Sequence, residues 1–284
     1  MQSESEIAAL SVDASKEILK YTPQLFRKFG NTQPVPIEAW ATGVLLMIEE
    51  VKFLISAAHV LEENKKPINP EDVGIMIGDT FHILNGFIKY AATGLHPNNE
   101  KVDLTVWRLD DPDVVADLEK KYRFLCWDQL DVEHNPVTTS NYLMVGFPVT
   151  RTKKKPQAKK LKVEPFIFLS KLGESRLYKK VGVEDHSHFI VKYRKRKIKD
   201  FNGKIIIGPD PFGMSGCGLW HVPVLQRNDQ NEVPSRLVAI LHEWRKEESL
   251  LIATRIHIVT EVIRKAFDLS LPASRKTKVN LGDG

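Results

Sequence analysis

Three short segments of this 284-residue chain carry residue types suited to nucleophilic chemistry. In the first, Ala41-Thr42-Gly43-Val44-Leu45-Leu46 is followed by Phe53-Leu54-Ile55-Ser56-Ala57-Ala58-His59-Val60, a strand pair whose second member ends in two alanines and a histidine. Residues this small let the histidine backbone sit tightly against its neighbours. In the second, Val102-Asp103-Leu104-Thr105-Val106-Trp107-Arg108-Leu109, a carboxylate opens an alternating strand and can lie buried beside that imidazole. The third, Pro211-Phe212-Gly213-Met214-Ser215-Gly216-Cys217-Gly218-Leu219, holds a serine in a glycine-rich bend, and glycines let a backbone turn its N–H groups inward. A serine hydroxyl alone is a poor nucleophile near neutral pH and needs a base within hydrogen-bond reach.

The elements that must position these groups are short and strand-rich. Residues 5–29 read as a helical appendage, with Ile7, Leu10, Ile18, Leu19 and Leu25 near helical spacing before Gly30. From Pro34 on, apolar stretches cut by turn signals read as strands at 38–49, 51–56, 72–77, 80–90 and 102–109. Residues 111–122 have a capping start and read as a helical connector. A second strand series follows at 141–147, 163–170, 186–194, 204–207, 217–225, 236–243 and 250–256, then an amphipathic closing helix over 257–268 and a polar tail after Pro272. The expected units are 1–33 as helical extension, 34–130 as first barrel, 131–271 as second barrel with the closing helix, and 272–284 as tail.

Composition narrows the class. With 42% hydrophobic and 27% charged residues the chain reads as globular, and no apolar run approaches a membrane span. Two cysteines, Cys126 and Cys217, and an opening without secretory character point to a reducing cytoplasm. The net charge of +5 is mild.

The three segments together resemble the trypsin-like serine peptidases of the chymotrypsin double-barrel fold, nearest their bacterial intracellular type. The motifs are Ser56-Ala57-Ala58-His59, Asp103-Leu104-Thr105-Val106 and Gly213-Met214-Ser215-Gly216, in the order histidine, aspartate, serine and separated by 44 and 112 positions. Val145-Gly146-Phe147-Pro148 resembles a strand found early in the second barrel of such enzymes. The resemblance spans about residues 36–268 and implies an all-β fold of two six-stranded barrels. It implies that His59 takes the Ser215 proton, that Asp103 orients His59, and that the Gly213 and Ser215 N–H groups form an oxyanion hole. Peptide-bond hydrolysis through an acyl-enzyme would follow, with no metal or other cofactor.

Departures from the family pattern shape the rest. Met214 stands where secreted relatives carry an acid that pairs with a new N-terminus, so activation by N-terminal trimming is not expected. Cys217 stands where glycine is usual and reads as packing. The segment Leu237-Val238-Ala239-Ile240-Leu241-His242-Glu243-Trp244 resembles the substrate-pairing strand and makes His242, Glu243 and Trp244 candidate contacts. Trp244 is expected to crowd the specificity pocket and Leu250 or Leu251 to narrow its rear, while Asp210 offers an anionic base to a lysine or arginine side chain. These alternatives stay open.

Basic runs at 151–162 and 192–199 read as solvated hairpin tips, with phosphate or acidic partners as the less favoured reading. His186 and His188 share a strand face but lack a third ligand, so exposure is expected of them. There is no phosphate-binding glycine loop and no dinucleotide fingerprint. The resulting expectation is a cytoplasmic serine endopeptidase acting on protein or peptide, narrow in specificity and controlled by a regulatory protein or ligand. Family analogy adds a bacterial stress or antiviral setting. The competing expectation is a catalytically silent double barrel that binds peptide or nucleic acid.

Overall fold

The computed structural model describes residues 3–30, 36–84, 86, 88–91, 102–137, 140–155, 160–199, 204–223, 228–229 and 233–275. Helix α1 (Glu4–Leu19) starts at Ser3, whose hydroxyl accepts from the Glu6 N–H at 3.2 Å. Leu10, Ala14 and Ile18 recur every fourth position and are buried on one face. The helix expected over 5–29 ends at Leu19, because Pro23 disfavours helical backbone at the residue before it.

The first half holds β1 (Gln24–Lys28), β2 (Ile37–Thr42), β3 (Val44–Ile48), β4 (Val51–Ser56), the small hairpin β5 (Glu62–Glu63) and β6 (Lys66–Pro67), β7 (Val73–Ile77), β8 (Thr80–Ile83), β9 (Ile88–Ala91) and β10 (Leu104–Arg108). Two four-stranded antiparallel sheets result, in the orders β2-β1-β7-β8 and β3-β4-β10-β9. Gly43 separates β2 from β3, so one bent strand passes from the first sheet to the second. Leu25, Ala41, Leu45, Leu54, Ile75 and Trp107 fill the space between them. Since β1 pairs with β2 on one side and β7 on the other, this barrel begins at Gln24, and the boundary expected at 33/34 cuts through it.

Helix α2 (Pro112–Glu119) begins where expected, with the Asp111 carboxylate accepting from the Asp113 N–H at 2.9 Å and the Val114 N–H at 3.3 Å. The second half contains β11 (Asn141–Gly146), β12 (Thr152–Lys155), β13 (Lys160–Val163), β14 (Phe166–Ser170), α3 (Ser175–Val181), β15 (His188–Lys192), β16 (Ile198–Lys199), β17 (Ile205–Ile206), β18 (Gly218–Val222), β19 (Arg236–Arg245), β20 (Leu250–Arg255) and α4 (Ile256–Phe267). Six of these form one antiparallel sheet in the order β14-β11-β18-β19-β20-β15. A bridge between Leu172 and Val191 joins its two ends and closes it. The first basic run lies on the β12–β13 hairpin, whose tip at 156–159 is outside the described residues, as are 276–284 of the tail. Helix α3 was not expected from the sequence.

β11 is apolar on both faces, and the fold explains why. Tyr142 and Met144 point into the second barrel with Phe189, Val191 and Leu219. Leu143 and Val145 point the other way, into a larger core where the barrels meet. That seam collects Val44, Leu46, Phe53 and Ile55 from the first barrel, Trp220 and Leu237 from the second, and the inner faces of α1 and α4. Helix α1 packs on β11 and β14, so it straps the second barrel and is no loose appendage. Among the described residues no helix is long and apolar enough to cross a membrane.

Candidate active site

His59 lies in a short 3₁₀ turn (Ala58–Leu61) just after β4, and Asp103 lies one residue before β10. These strands pair antiparallel with Thr105 opposite Ser56, so both segments leave the sheet at the same edge. Ala57, fully buried, lets the turn fold tightly. Asp103 holds the histidine twice: Oδ1 accepts from the His59 backbone N–H at 3.0 Å, and Oδ2 lies 2.6 Å from Nδ1. With the Nδ1 proton directed at the carboxylate, Nε2 presents a lone pair 2.9 Å from Ser215 Oγ.

Burial works against the charged forms of both groups, but their shared hydrogen bond and opposite charges outweigh it. His59 is raised above the usual imidazole value and Asp103 held below the usual carboxylate value. The His59 side chain remains 44% exposed, open to a cleft of about 690 Å³ that Asp103 and Ser215 also line. A larger hollow of about 870 Å³, lined by Lys16, Lys121 and Tyr122 among others, lies apart from these residues.

Ser215 precedes β18, and its turn is stitched to the first barrel. The Thr42 N–H donates to the Ser215 carbonyl at 3.0 Å, and Thr42 Oγ1 donates to the Gly213 carbonyl at 2.8 Å while accepting from the Phe147 N–H at 3.0 Å. Ser56 Oγ in turn donates to the Thr42 carbonyl at 2.8 Å. The turn Pro211-Phe212-Gly213-Met214 closes through the Met214 N–H and the Pro211 carbonyl at 2.8 Å, with Gly213 at φ +92°. The Phe212 carbonyl is drawn off to the Val149 N–H at 2.9 Å, so the Gly213 N–H, trans to it across a planar peptide, faces the opposite way. Among the described residues neither the Gly213 nor the Ser215 N–H donates to a backbone carbonyl.

The fold matches a crystal structure of a scabies mite inactivated protease paralogue, with a TM-score of 0.51 and 12% identity over 93% of this chain and 96% of that one. The chain has a chymotrypsin-like double-barrel fold. No protein-family model and no curated protein matches it. Identity this low carries the architecture alone.

Within the double barrel the other candidate residues divide. Asp210, Glu243 and Trp244 line the cleft, but both carboxylates are already engaged. Lys195 Nζ donates to Asp210 Oδ1 at 2.8 Å, and Arg245 Nε lies 2.8 Å from Glu243 Oε1. Trp244 meets Tyr193 edge-on at 6.4 Å between ring centres. Leu250 and Leu251 are buried in packing clusters and do not line the cleft, which corrects the expectation that either narrows it. His242 does line the cleft but is itself buried; its Nδ1 is 3.8 Å from Asp103 Oδ2, and burial lowers its pKa to about 3, keeping the ring neutral.

His188 packs against that ring at 5.3 Å between centres and is fully buried, contrary to the exposure expected of it. His188 opens β15 on its buried face, whereas His186 lies before the strand and is half-buried. Met214 and Cys217 are likewise buried, the thiol pushed to a higher pKa by burial, and Cys126 and Cys217 are both free. Sequence reasoning missed Thr42 and Ser56 as braces of the Ser215 turn. Their signal was adjacency to the quoted motifs, but cross-barrel hydrogen bonds leave no trace in spacing.

Proposed function

We propose that the chain is a serine endopeptidase of the trypsin-like, bacterial intracellular type, cleaving peptide bonds through an acyl-enzyme. The observation that carries this reading is the unbroken path from Asp103 to His59 to Ser215, with contacts of 2.6 and 2.9 Å. His59 removes the Ser215 proton as Oγ attacks the scissile carbonyl, then returns it to the departing amine. Asp103 fixes the ring tautomer and stabilises the imidazolium. The Gly213 and Ser215 N–H groups receive the oxyanion, each worth about 3 kcal/mol in the transition state. This chemistry uses only these side chains and backbone groups.

The charged, aromatic cleft supports narrow specificity. Buried Met214 offers no partner for a new amino terminus, which supports control by a partner or ligand in a cytoplasmic setting. A fluorophosphonate probe tests the reading. Wild type should be labelled on Ser215, labelling should vanish in Ser215→Ala, and both proteins should give the same circular dichroism. Folded wild type that stays unlabelled and hydrolyses no member of a diverse peptide library would favour the silent binding scaffold instead.

A further inference from the structure

A second set of chemically capable side chains lies on β18 and the segment that joins the barrels. Asp131 and His134 belong to the segment joining the barrels, and His221 belongs to β18. One ligand atom from each falls within 4.8 Å of the other two. Asp131 Oδ2 is 2.7 Å from His134 Nδ1 and 3.8 Å from His221 Nδ1, and the two ring centres are 4.3 Å apart.

The joining segment is held firmly. The Asp131 N–H donates to the Leu237 carbonyl at 3.0 Å, the His134 N–H to the Asp131 carbonyl at 3.1 Å, and Arg255 Nη1 to the His134 carbonyl at 3.3 Å. On its far side, His134 Nε2 lies 2.8 Å from Tyr142 Oη, which also accepts from the Val137 N–H at 3.2 Å. His221 stands opposite Tyr142 in the β11–β18 ladder.

Hydrogen bonding accounts for His134 but not for His221. The His221 Nδ1, 3.8 Å from Asp131 Oδ2, is beyond hydrogen-bond reach of it, and Nε2 is buried without a hydrogen-bond partner among the described residues. A largely buried imidazole with Nε2 unpartnered among the described residues departs from the rule that buried polar groups are satisfied, and here the ring sits beside a carboxylate and a second imidazole.

We propose that Asp131, His134 and His221 bind a divalent transition-metal ion, Zn²⁺ foremost, which ties the joining segment to β18. Two imidazoles and one carboxylate suit that ion, at bond lengths of about 2.0–2.2 Å. Such bonds place the donor atoms roughly 3–3.5 Å from one another, so the short Asp131–His134 contact opens and the long Asp131–His221 contact closes. His134 changes tautomer as this happens. Its Nδ1 gives up the proton and holds the ion, while Nε2 takes a proton and donates to Tyr142 Oη. The imidazole stays neutral, and Tyr142 becomes the outer partner that fixes the ring. A fourth position remains for water. The site shares no residue with the cleft, so it stands whatever becomes of the proposed peptidase activity.

Calorimetric titration of the metal-free full chain with Zn²⁺, with thermal melts alongside, tests this. One equivalent should bind and raise the melting temperature. Asp131→Asn, which keeps the side-chain shape, and His221→Ala should each abolish saturable binding and the thermal gain, and Tyr142→Phe should weaken binding about tenfold. Co²⁺ should give tetrahedral visible bands that disappear in His221→Ala. His59→Ala, which removes the competing imidazole in the cleft, should leave the stoichiometry at one. Absence of saturable binding, binding that survives both Asp131→Asn and His221→Ala, or binding lost only with His59→Ala would each overturn the assignment.

Discussion

Thr42 and Gly213 are hydrogen-bonded across the barrels at 2.8 Å, the threonine hydroxyl from one half gripping the backbone of the Ser215 turn in the other. Both groups are buried, and the same hydroxyl accepts from Phe147 at 3.0 Å. Thr42→Val preserves shape and strips both bonds, leaving a carbonyl and an N–H unsatisfied at about 1–3 kcal/mol each. The expected result is a lower melting temperature and slower probe labelling even well below it, with Thr42→Ser restoring both. Wild-type labelling rates in Thr42→Val would remove this brace from the mechanism.

The pH dependence follows from the His59–Asp103 pair. In the proposed mechanism neutral His59 is the base, so turnover should rise with pH through a midpoint above the ordinary imidazole value of 6.5. In Asp103→Asn the two largest raising influences are gone while burial and the smaller ones of Glu62 and Glu243 remain, so the midpoint should fall while turnover drops by about 10⁴-fold. Stability carries the same signature. The Asp103 contribution is fully present above its unfolded value of 3.8 and is lost as pH falls through its lowered folded value, whereas that of His59 is fully present below 6.5 and lost as pH rises through its raised one. The melting-temperature gap between wild type and Asp103→Asn should therefore be widest between these two values.

Lys195 Nζ lies 2.8 Å from Asp210 Oδ1, with both groups partly exposed, and on the proposed reading it occupies the carboxylate that would otherwise meet a basic substrate side chain. Lys195→Ala should release Asp210 and raise kcat/KM for substrates with lysine or arginine before the scissile bond, relative to neutral ones, by about fivefold, or about 1 kcal/mol. Profiling of both proteins on a peptide library checks this. An unchanged preference would place the specificity pocket elsewhere.

Gly216 sits at φ +89°, and a Cβ there would collide with Ser56 Oγ and the Thr42 carbonyl. Gly216→Ala should cost about 3 kcal/mol or more through strain and overpacking together. Chemical denaturation measures that loss, and probe labelling should fall with it as the turn is pushed off the seam.

Much of the architecture could be read from alternation and turn residues, because a barrel strand must present apolar groups inward wherever it lies. The His59, Asp103 and Ser215 segments stood out for a related reason, since each joins small or charged residues to the end of an apolar strand. β1 was hidden: Leu25 fits a helical repeat as well as a strand, and its state is decided by pairing with Ala41 and Ile75, both distant in sequence. His188 and His242 show the same limit. The pairing of β15 and β19 with the two edges of β20 brings the two imidazoles together near Asp103, a long-range arrangement, so neither position announced its burial.

Helix α1 has a consequence for how such a molecule is switched. Leu10, Ala14 and Ile18 are built into the apolar seal between the halves, where Val145 and Trp220 also lie. Proteolytic loss of that stretch would open the joint on which the serine's alignment depends. A cut near the start of the chain should act as an off-signal, and limited digestion should extinguish labelling at the rate at which the helix disappears.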